Sequence, residues 1–216
     1  MKSVLVIGMG RFGRHLAVKM QELGNDVMII DKNPEIVEMF SAKFTDAHIA
    51  DCTNEGVIRS LGVKHFDLCF VTIGEDFQSS LVIASLLKKL SAKYVVAKAN
   101  QDIQAELLKQ IGADEIIYPE KEMAEKLAIR HNANNIFDYI PLTSDYSIYE
   151  IPVHKDWIGK SISAIDVRKK HEINIVAVKT GNSLSPMPGS DYEFVKDDHL
   201  IVIGKSSDVF KITSKS

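Results

Sequence analysis

The segment Val4-Leu5-Val6-Ile7-Gly8-Met9-Gly10-Arg11-Phe12-Gly13 constrains this chain more than any other. A short β-branched run passes through a glycine-rich turn into residues with helical periodicity. In that strand–turn–helix context, G-x-G-x-x-G spacing reads as a phosphate-binding loop. Gly8 permits the tight turn, Gly10 lets the backbone approach a pyrophosphate, and Gly13 lets the helix pack closely on the strand. Phosphates are expected at the helix N-terminus, where unpaired N–H groups and the helix dipole favour negative charge. Asp31 ends the second apolar run, a position suited to accept hydrogen bonds from ribose hydroxyls and to repel a 2′-phosphate. Lys32 follows it and is taken with it as a candidate.

The same rhythm continues through residues 3–118. Apolar runs at Val4–Ile7, Val27–Ile30, Ala47–Ala50, Leu68–Ile73, Tyr94–Ala97 and Glu115–Tyr118 read as strands. Amphipathic stretches near Phe12–Leu23, Pro34–Lys43, Asn54–Leu61, Gln78–Leu90 and Gln101–Ile111 read as helices. Near-continuous hydrophobicity in Val4–Ile7 and Leu68–Ile73 suits strands buried on both faces. The alternation predicts right-handed βαβ crossovers and a doubly wound parallel sheet of Rossmann type. Gly24 and Gly112 read as helix stops, and Asn33-Pro34 as an N-cap with proline at the first helical position.

A last helix, Glu120–His131, leads into the polar segment Asn132–Asn135. The boundary is expected between residues 134 and 135, giving domains 1–134 and 135–216. The second domain reads as a small α+β module. Its expected strands are Tyr146–Val153, Ile175–Lys179 and Leu200–Ile203, with a helix over Ser161–His171 and a loop over Thr180–Ser190.

Ligands of such folds bind beyond the carboxyl ends of the strands. Asp51-Cys52-Thr53 follows the third strand and is a candidate adenine edge. Thr72-Ile73-Gly74 follows the fourth, with Glu75 and Asp76 next, and Lys98 closes the fifth, where it can face phosphate.

Hydrophobic residues make up 45% of the chain and charged residues 25%, an ordinary globular balance. The formal charge of -3 carries no basic excess of the kind a nucleic-acid binder shows, and no basic helix-turn-helix is evident. No apolar run approaches the roughly 20 residues a membrane span needs. Glycines and Arg11 interrupt the apolar start, which argues for a retained strand rather than a signal peptide. Cys52 and Cys69 have no metal-ligand spacing, so a cytoplasmic, reducing location is expected.

These residues, with Ile111-Gly112-Ala113-Asp114-Glu115-Ile116-Ile117-Tyr118-Pro119-Glu120, resemble the RCK (KTN) family along the whole chain. That family comprises cytosolic regulatory subunits of Ktr/Trk potassium-uptake systems. The likeness is to its KtrA/KtrC type, with one RCK_N and one RCK_C (TrkA-C) domain. The second domain carries it through Ile165-Asp166-Val167-Arg168 and Asn174-Ile175-Val176-Ala177. The resemblance implies homodimers assembled into a ring, commonly an octamer, at the inner face of the membrane under a KtrB/KtrD-like potassium-translocating subunit. It implies ATP as activator and ADP as inactivator, with NAD(H) in some members. It also implies Arg11 near the ATP γ-phosphate and Glu120 in a cation site near the phosphates across the dimer interface. Since a carboxylate alone repels phosphate, Mg²⁺ or Ca²⁺ is the expected companion of ATP. For cyclic di-AMP, the matching positions are Arg168, Asn174, Ile175 and Pro188.

The competing reading is an NAD-dependent oxidoreductase. It needs an acid–base group beside the nicotinamide and a substrate pocket. The chain has seven histidines, none in a recognised catalytic motif, and the second domain is short for a substrate domain. A gating subunit, not an enzyme, is the expectation.

Overall fold

The computed structural model describes residues 1–44, 46–132 and 136–214. The chain forms two compact units, Met1–Glu120 and Lys121–Ser216. Residues 133–135, and with them the boundary expected at 134/135, lie outside the described residues.

The first unit alternates β1 (Ser3–Ile7), α1 (Arg11–Glu22), β2 (Asp26–Asp31), α2 (Pro34–Ser41), β3 (Asp46–Ile49) and α3 (Glu55–Ser60). It continues with β4 (Leu68–Val71), α4 (Phe77–Lys89), β5 (Val95–Lys98), α5 (Asp102–Ile111), β6 (Glu115–Ile117) and the start of α6 (Pro119–Asn132). The sheet runs β3-β2-β1-β4-β5-β6, with every pairing parallel. This is the doubly wound order, and its direction of progression reverses between β1 and β4.

Burial explains the apolar character of β1. Leu5 and Ile7 pack into one core with Ile30, Val71, Ile83 and Leu87, whereas Val4 and Val6 pack into another with Ala17, Val27 and Ile29. A strand covered on both faces has no polar side to show, so the usual period-two alternation disappears. The caps follow local chemistry. Asn33 accepts from the Glu35 amide at 2.9 Å ahead of Pro34, and Asp76 accepts from the Ser79 amide at 3.0 Å. Gly112, at φ 96°, ends α5 in the left-handed conformation that glycine adopts without a Cβ clash. Observed element ends differ from the sequence reading by one or two residues.

The second unit contains β7 (Asp138–Pro141), β8 (Tyr146–Pro152), α7 (Ile162–Ile165), α8 (Val167–His171), β9 (Asn174–Thr180), β10 (Ser183–Pro186), β11 (Asp198–Lys205) and α9 (Ser206–Thr213). Its sheet is antiparallel in the order β10-β9-β11-β8-β7. Buried and half-buried residues alternate along β11, as a sheet with one covered face requires. Tyr149, Ile151, Leu200 and Val202 form the core with Trp157, Val167, Val209 and Ile212. Asp198, fully buried, accepts from Thr180 Oγ1, Tyr192 OH and the Val195 amide, so its carboxyl oxygens are well hydrogen-bonded.

Two sequence expectations need correction here. The helix expected over Ser161–His171 is two short helices, broken where Asp166 adopts φ 55°. The loop expected over Thr180–Ser190 contains β10, joined to β9 through Gly181-Asn182. Every residue of β10 is exposed, and Leu184 is too isolated in Ser183–Pro186 to mark a strand by hydrophobic pattern. Strand β7 and helix α9 were not anticipated.

Candidate functional site

A cleft of ≈ 710 Å³ opens at the carboxyl ends of β1, β2, β4 and β5, over the point where the strand order reverses. Its floor begins with the turn between β1 and α1. Gly8 has φ +97°, a conformation that other residues reach only with strain. A Cβ on Gly13 would lie 2.0 Å from the Gly8 carbonyl oxygen and 2.5 Å from Thr72 Oγ1, so α1 can rest on β1 only if residue 13 has no side chain. Gly13 itself lies beneath the cleft rather than among its lining residues. A Cβ on Gly10 would meet no protein atom within 4 Å and would project into open space.

Helix α1 has no side-chain cap and no acidic residue in its first turn. Its first intrahelical bond runs from the Arg14 amide to the Gly10 carbonyl at 3.1 Å. The preceding amides therefore have no intrahelical acceptor, and the positive end of the helix faces the cleft. That is the donor set an anion needs, without a carboxylate to oppose it.

Asp31 stands at the end of β2 beside this turn. Its Oδ2 accepts from the Met9 amide at 2.7 Å and its Oδ1 from the Asn33 amide at 2.9 Å. Two backbone donors thus fix the carboxylate plane, and the remaining lone pairs are available for hydroxyl donors. Beyond β3, Asp51 Oδ1 accepts from the Thr53 amide (2.9 Å) and hydroxyl (2.7 Å), which hold its carboxyl below the usual range. Cys52 is buried among core residues, and burial pushes its thiol up to about 12. It is a neutral packing group under the cleft.

Opposite these, Asp76 caps α4, and the Ser79 hydroxyl and amide lower its carboxyl pKa. Lys32 Nζ lies 3.7 Å from Asp76, an exposed pair across the cleft mouth. Gly74 sits close to the end of β5; a Cβ there would be 2.8 Å from Asn100 Nδ2 and 3.3 Å from Lys98 Nζ. Lys98 donates to Glu120 Oε1 at 2.7 Å and stands 5.9 Å from the centroid of the Phe12 ring. The Lys98 side chain is 10% exposed and that of Glu120 63%. The Lys98 hydrogen bond holds the Glu120 carboxyl below its ordinary value, with Arg11 adding a weaker attraction. Met9 and Ile73 belong to the apolar lining.

Sequence reasoning did not select Arg14, Asn100 or Ile36, Met39 and Phe40 of α2, all of which line the cleft. Asn100 had a legible signal, since it lies just beyond the carboxyl end of β5. Its Nδ2 donates to the Gly74 carbonyl at 2.5 Å, and Tyr118 OH donates to its carbonyl. Arg14 lies one helical turn from Gly10 on the same side of α1, a relation only the helix start reveals.

No group of three or more His, Cys, Asp or Glu residues is poised to hold a metal among the described residues. Glu120 fits a divalent cation only as one ligand, with phosphate oxygens and water supplying the rest.

In the second unit, Arg168 Nε donates to Asn174 Oδ1 at 2.8 Å. Ile175 follows on β9, packed against the core. The Met187 amide donates to the Val176 carbonyl at 2.8 Å, which brings Pro188 alongside. Arg168 and Pro188 thus lie near the first residues of β9, Asn174 and Ile175. No helix among the described residues is long and apolar enough to cross a membrane.

Comparison with known proteins places these two units. Residues 4–119 match the TrkA-N domain and residues 146–215 the TrkA-C domain. The Ktr system potassium uptake protein C of Bacillus subtilis is 35% identical over 214 residues, 99% of this chain and 97% of that protein. The Ktr system potassium uptake protein A of the same organism is 34% identical, over 96% of this chain and 94% of that protein. The solved GsuK channel bound to NAD superposes with a TM-score of 0.69 at 18% identity, over 96% of this chain and 38% of the GsuK chain, a likeness of fold. The chain thus spans well under half of that solved chain. Such domains are regulatory modules rather than catalysts, which removes the oxidoreductase reading. The chain belongs to the TrkA-N/TrkA-C (RCK, or KTN) family and is a homologue of the KtrA/KtrC-type regulatory subunits of Ktr-like potassium uptake systems.

Proposed function

We propose that this chain is the cytoplasmic nucleotide-sensing subunit of a potassium uptake system, with ATP favouring the conducting state and ADP the inactive one. The observation that carries this reading is the uncapped, acid-free start of α1 facing a cleft whose other wall holds Asp31. Phosphates rest on the Gly10–Phe12 backbone, the ribose hydroxyls on Asp31, and the adenine near Asp51-Cys52-Thr53. Arg11 meets the γ-phosphate, where a triphosphate carries its extra charge. Glu120 shares a Mg²⁺ or Ca²⁺ ion with the phosphate oxygens. NAD(H) has the same adenosine half and competes for the same cleft.

The signal leaves the chain through assembly: homodimers join in an octameric ring against a KtrB/KtrD-like membrane subunit. Nucleotide shifts that ring only through a difference in affinity between its two states. Inverting a 1:99 population takes about 5.5 kcal/mol, which is about 0.7 kcal/mol per site over eight sites. One extra phosphate contact per site is sufficient. Cyclic di-AMP is assigned to the positions Arg168, Asn174, Ile175 and Pro188 as a second input.

A thermal-shift panel of ATP, ADP, AMP, NAD, NADH and cyclic di-AMP, with and without Mg²⁺, tests the assignment. Native-state ligands raise the melting temperature by mass action. The reading expects ATP and ADP to stabilise the protein, with a Mg²⁺ response for ATP. Stabilisation by none of the adenine nucleotides would refute it.

A further inference from the structure

The ion pair between Lys98 and Glu120 closes the far side of the cleft. Lys98 has three ammonium donors on a side chain that is 10% exposed, and among the described residues its carboxylate partner is Glu120. A largely desolvated ammonium is costly unless an anion answers it. Glu120 answers it from the solvent side, opening α6 with a side chain 63% exposed. The Phe12 ring flanks the ammonium from the glycine loop, and Gly74 leaves room beside it. Lys98 therefore stays within reach of the loop that cradles phosphate, while its partner can swing into water at little cost.

We propose that a terminal phosphate oxygen replaces Glu120 on Lys98, and that this exchange is what frees the carboxylate for the cation assigned to it above. This rests on the nucleotide reading above and deepens it. Lys98 thereby joins Arg11 in distinguishing nucleotides by the length of their phosphate chain. A chain too short to reach Lys98 leaves the ion pair closed and Glu120 unavailable to a cation. A longer one exchanges one anion for another on the ammonium, so the buried charge is never left unpaired. Phosphate and Glu120 compete for Lys98 until a cation bridges them; without a cation the exchange sets two anions against each other. Cation and terminal phosphate are thereby coupled, and the coupling is reciprocal.

The exchange makes opposite demands on its two partners. Glu120→Gln removes the competitor, so ATP binds in EDTA about fivefold or more tighter than to the wild type, the lower end of ordinary coupling effects. It also loses the gain that Mg²⁺ gives, while ADP affinity stays within about twofold. Lys98→Met removes the receptor, so ATP weakens about tenfold or more and the ATP/ADP preference narrows to what Arg11 supplies. Titration calorimetry of both nucleotides, in EDTA and in Mg²⁺, reads all four quantities. Glu120 is exposed, so Glu120→Gln decides the matter even if Lys98→Met fails to fold. ATP affinity in EDTA that is unchanged or weaker in Glu120→Gln overturns the exchange, while leaving the nucleotide reading intact. Failure of the wild type to bind either nucleotide overturns both.

Discussion

Gly13→Ala tests how tightly the glycine loop is built. The added carbon would stand 2.0 Å from the Gly8 carbonyl oxygen, whereas real Cβ atoms essentially never approach within 3.0 Å. Thr72 Oγ1, at 2.5 Å, has a rotatable hydroxyl proton, but that hydroxyl already donates to the Ile7 and Gly8 carbonyls. The carbonyl of Gly8 is fixed by the β1–α1 turn, so α1 has to move off β1 by about an ångström, a strain of the overpacking kind that costs about 1–3 kcal/mol. Alanine's better helix propensity returns at most about 1 kcal/mol. A contact as short as 2.0 Å to a fixed carbonyl belongs in the upper part of that range, about 2–3 kcal/mol, so the net loss of roughly 1–2 kcal/mol corresponds to a fall of about 3–10 °C in Tm. The same displacement moves the α1 amides away from the phosphates, so ATP affinity drops at least about tenfold, the loss of one charge-assisted bond. Circular dichroism melts and calorimetry read both effects. A Tm within about 1 °C of wild type, with unchanged Kd, would refute the packing argument and the loop's role together.

Other perturbations have equally definite signs. Arg11→Ala is expected to weaken ATP about tenfold and ADP much less; equal losses in calorimetry would remove Arg11 from the γ-phosphate. Glu172 ends α8 at φ 56°, which costs a side chain with a Cβ roughly 1–2 kcal/mol. Glu172→Gly should raise stability by about 0.5–1 kcal/mol once glycine's greater unfolded freedom is deducted, and denaturant melts showing destabilisation would contradict this. For Glu150, burial alone would raise the carboxyl pKa, but the hydrogen bonds from Lys179 and His199 bring it below its ordinary value. A depressed folded pKa means its stabilisation is full above the ordinary value of 4.5 and is lost as pH falls through the lower folded value. Melts from neutral to acid pH should therefore show a steeper acid limb for wild type than for Glu150→Gln; parallel limbs would exclude the trio as a source of acid sensitivity.

What the sequence disclosed and withheld divides along physical lines. Strands buried on both faces, such as β1, are almost free of polar residues, and their glycine stops and Asn33-Pro34 cap are local signals. The first sheet, and the position of a cleft at the carboxyl ends of its strands, could be read from such cues. Strand β10 left only the isolated Leu184 as an apolar trace because both its faces are exposed, though the Gly181-Asn182 step was a legible hairpin signal that the Gly/Ser/Pro-rich surroundings masked. The break at Asp166 was not legible, because nothing in Ile165-Asp166-Val167 forbids a continuous helix. In the cleft, residues named by strand-end position were accessible to reasoning; their pairings were not. That Lys98 holds Glu120, or that Met9 and Asn33 orient Asp31, depends on tertiary placement across 22 residues or on a turn's exact path.

A structure of the chain grown with ATP and Mg²⁺ tests the central claim most directly. The account predicts phosphate oxygens within hydrogen-bond reach of the Gly10, Arg11 and Phe12 amides and ribose hydroxyls on Asp31. It also predicts Glu120 turned from Lys98 toward the metal. Nucleotide bound elsewhere, or a cleft left empty at saturating ATP, would contradict it.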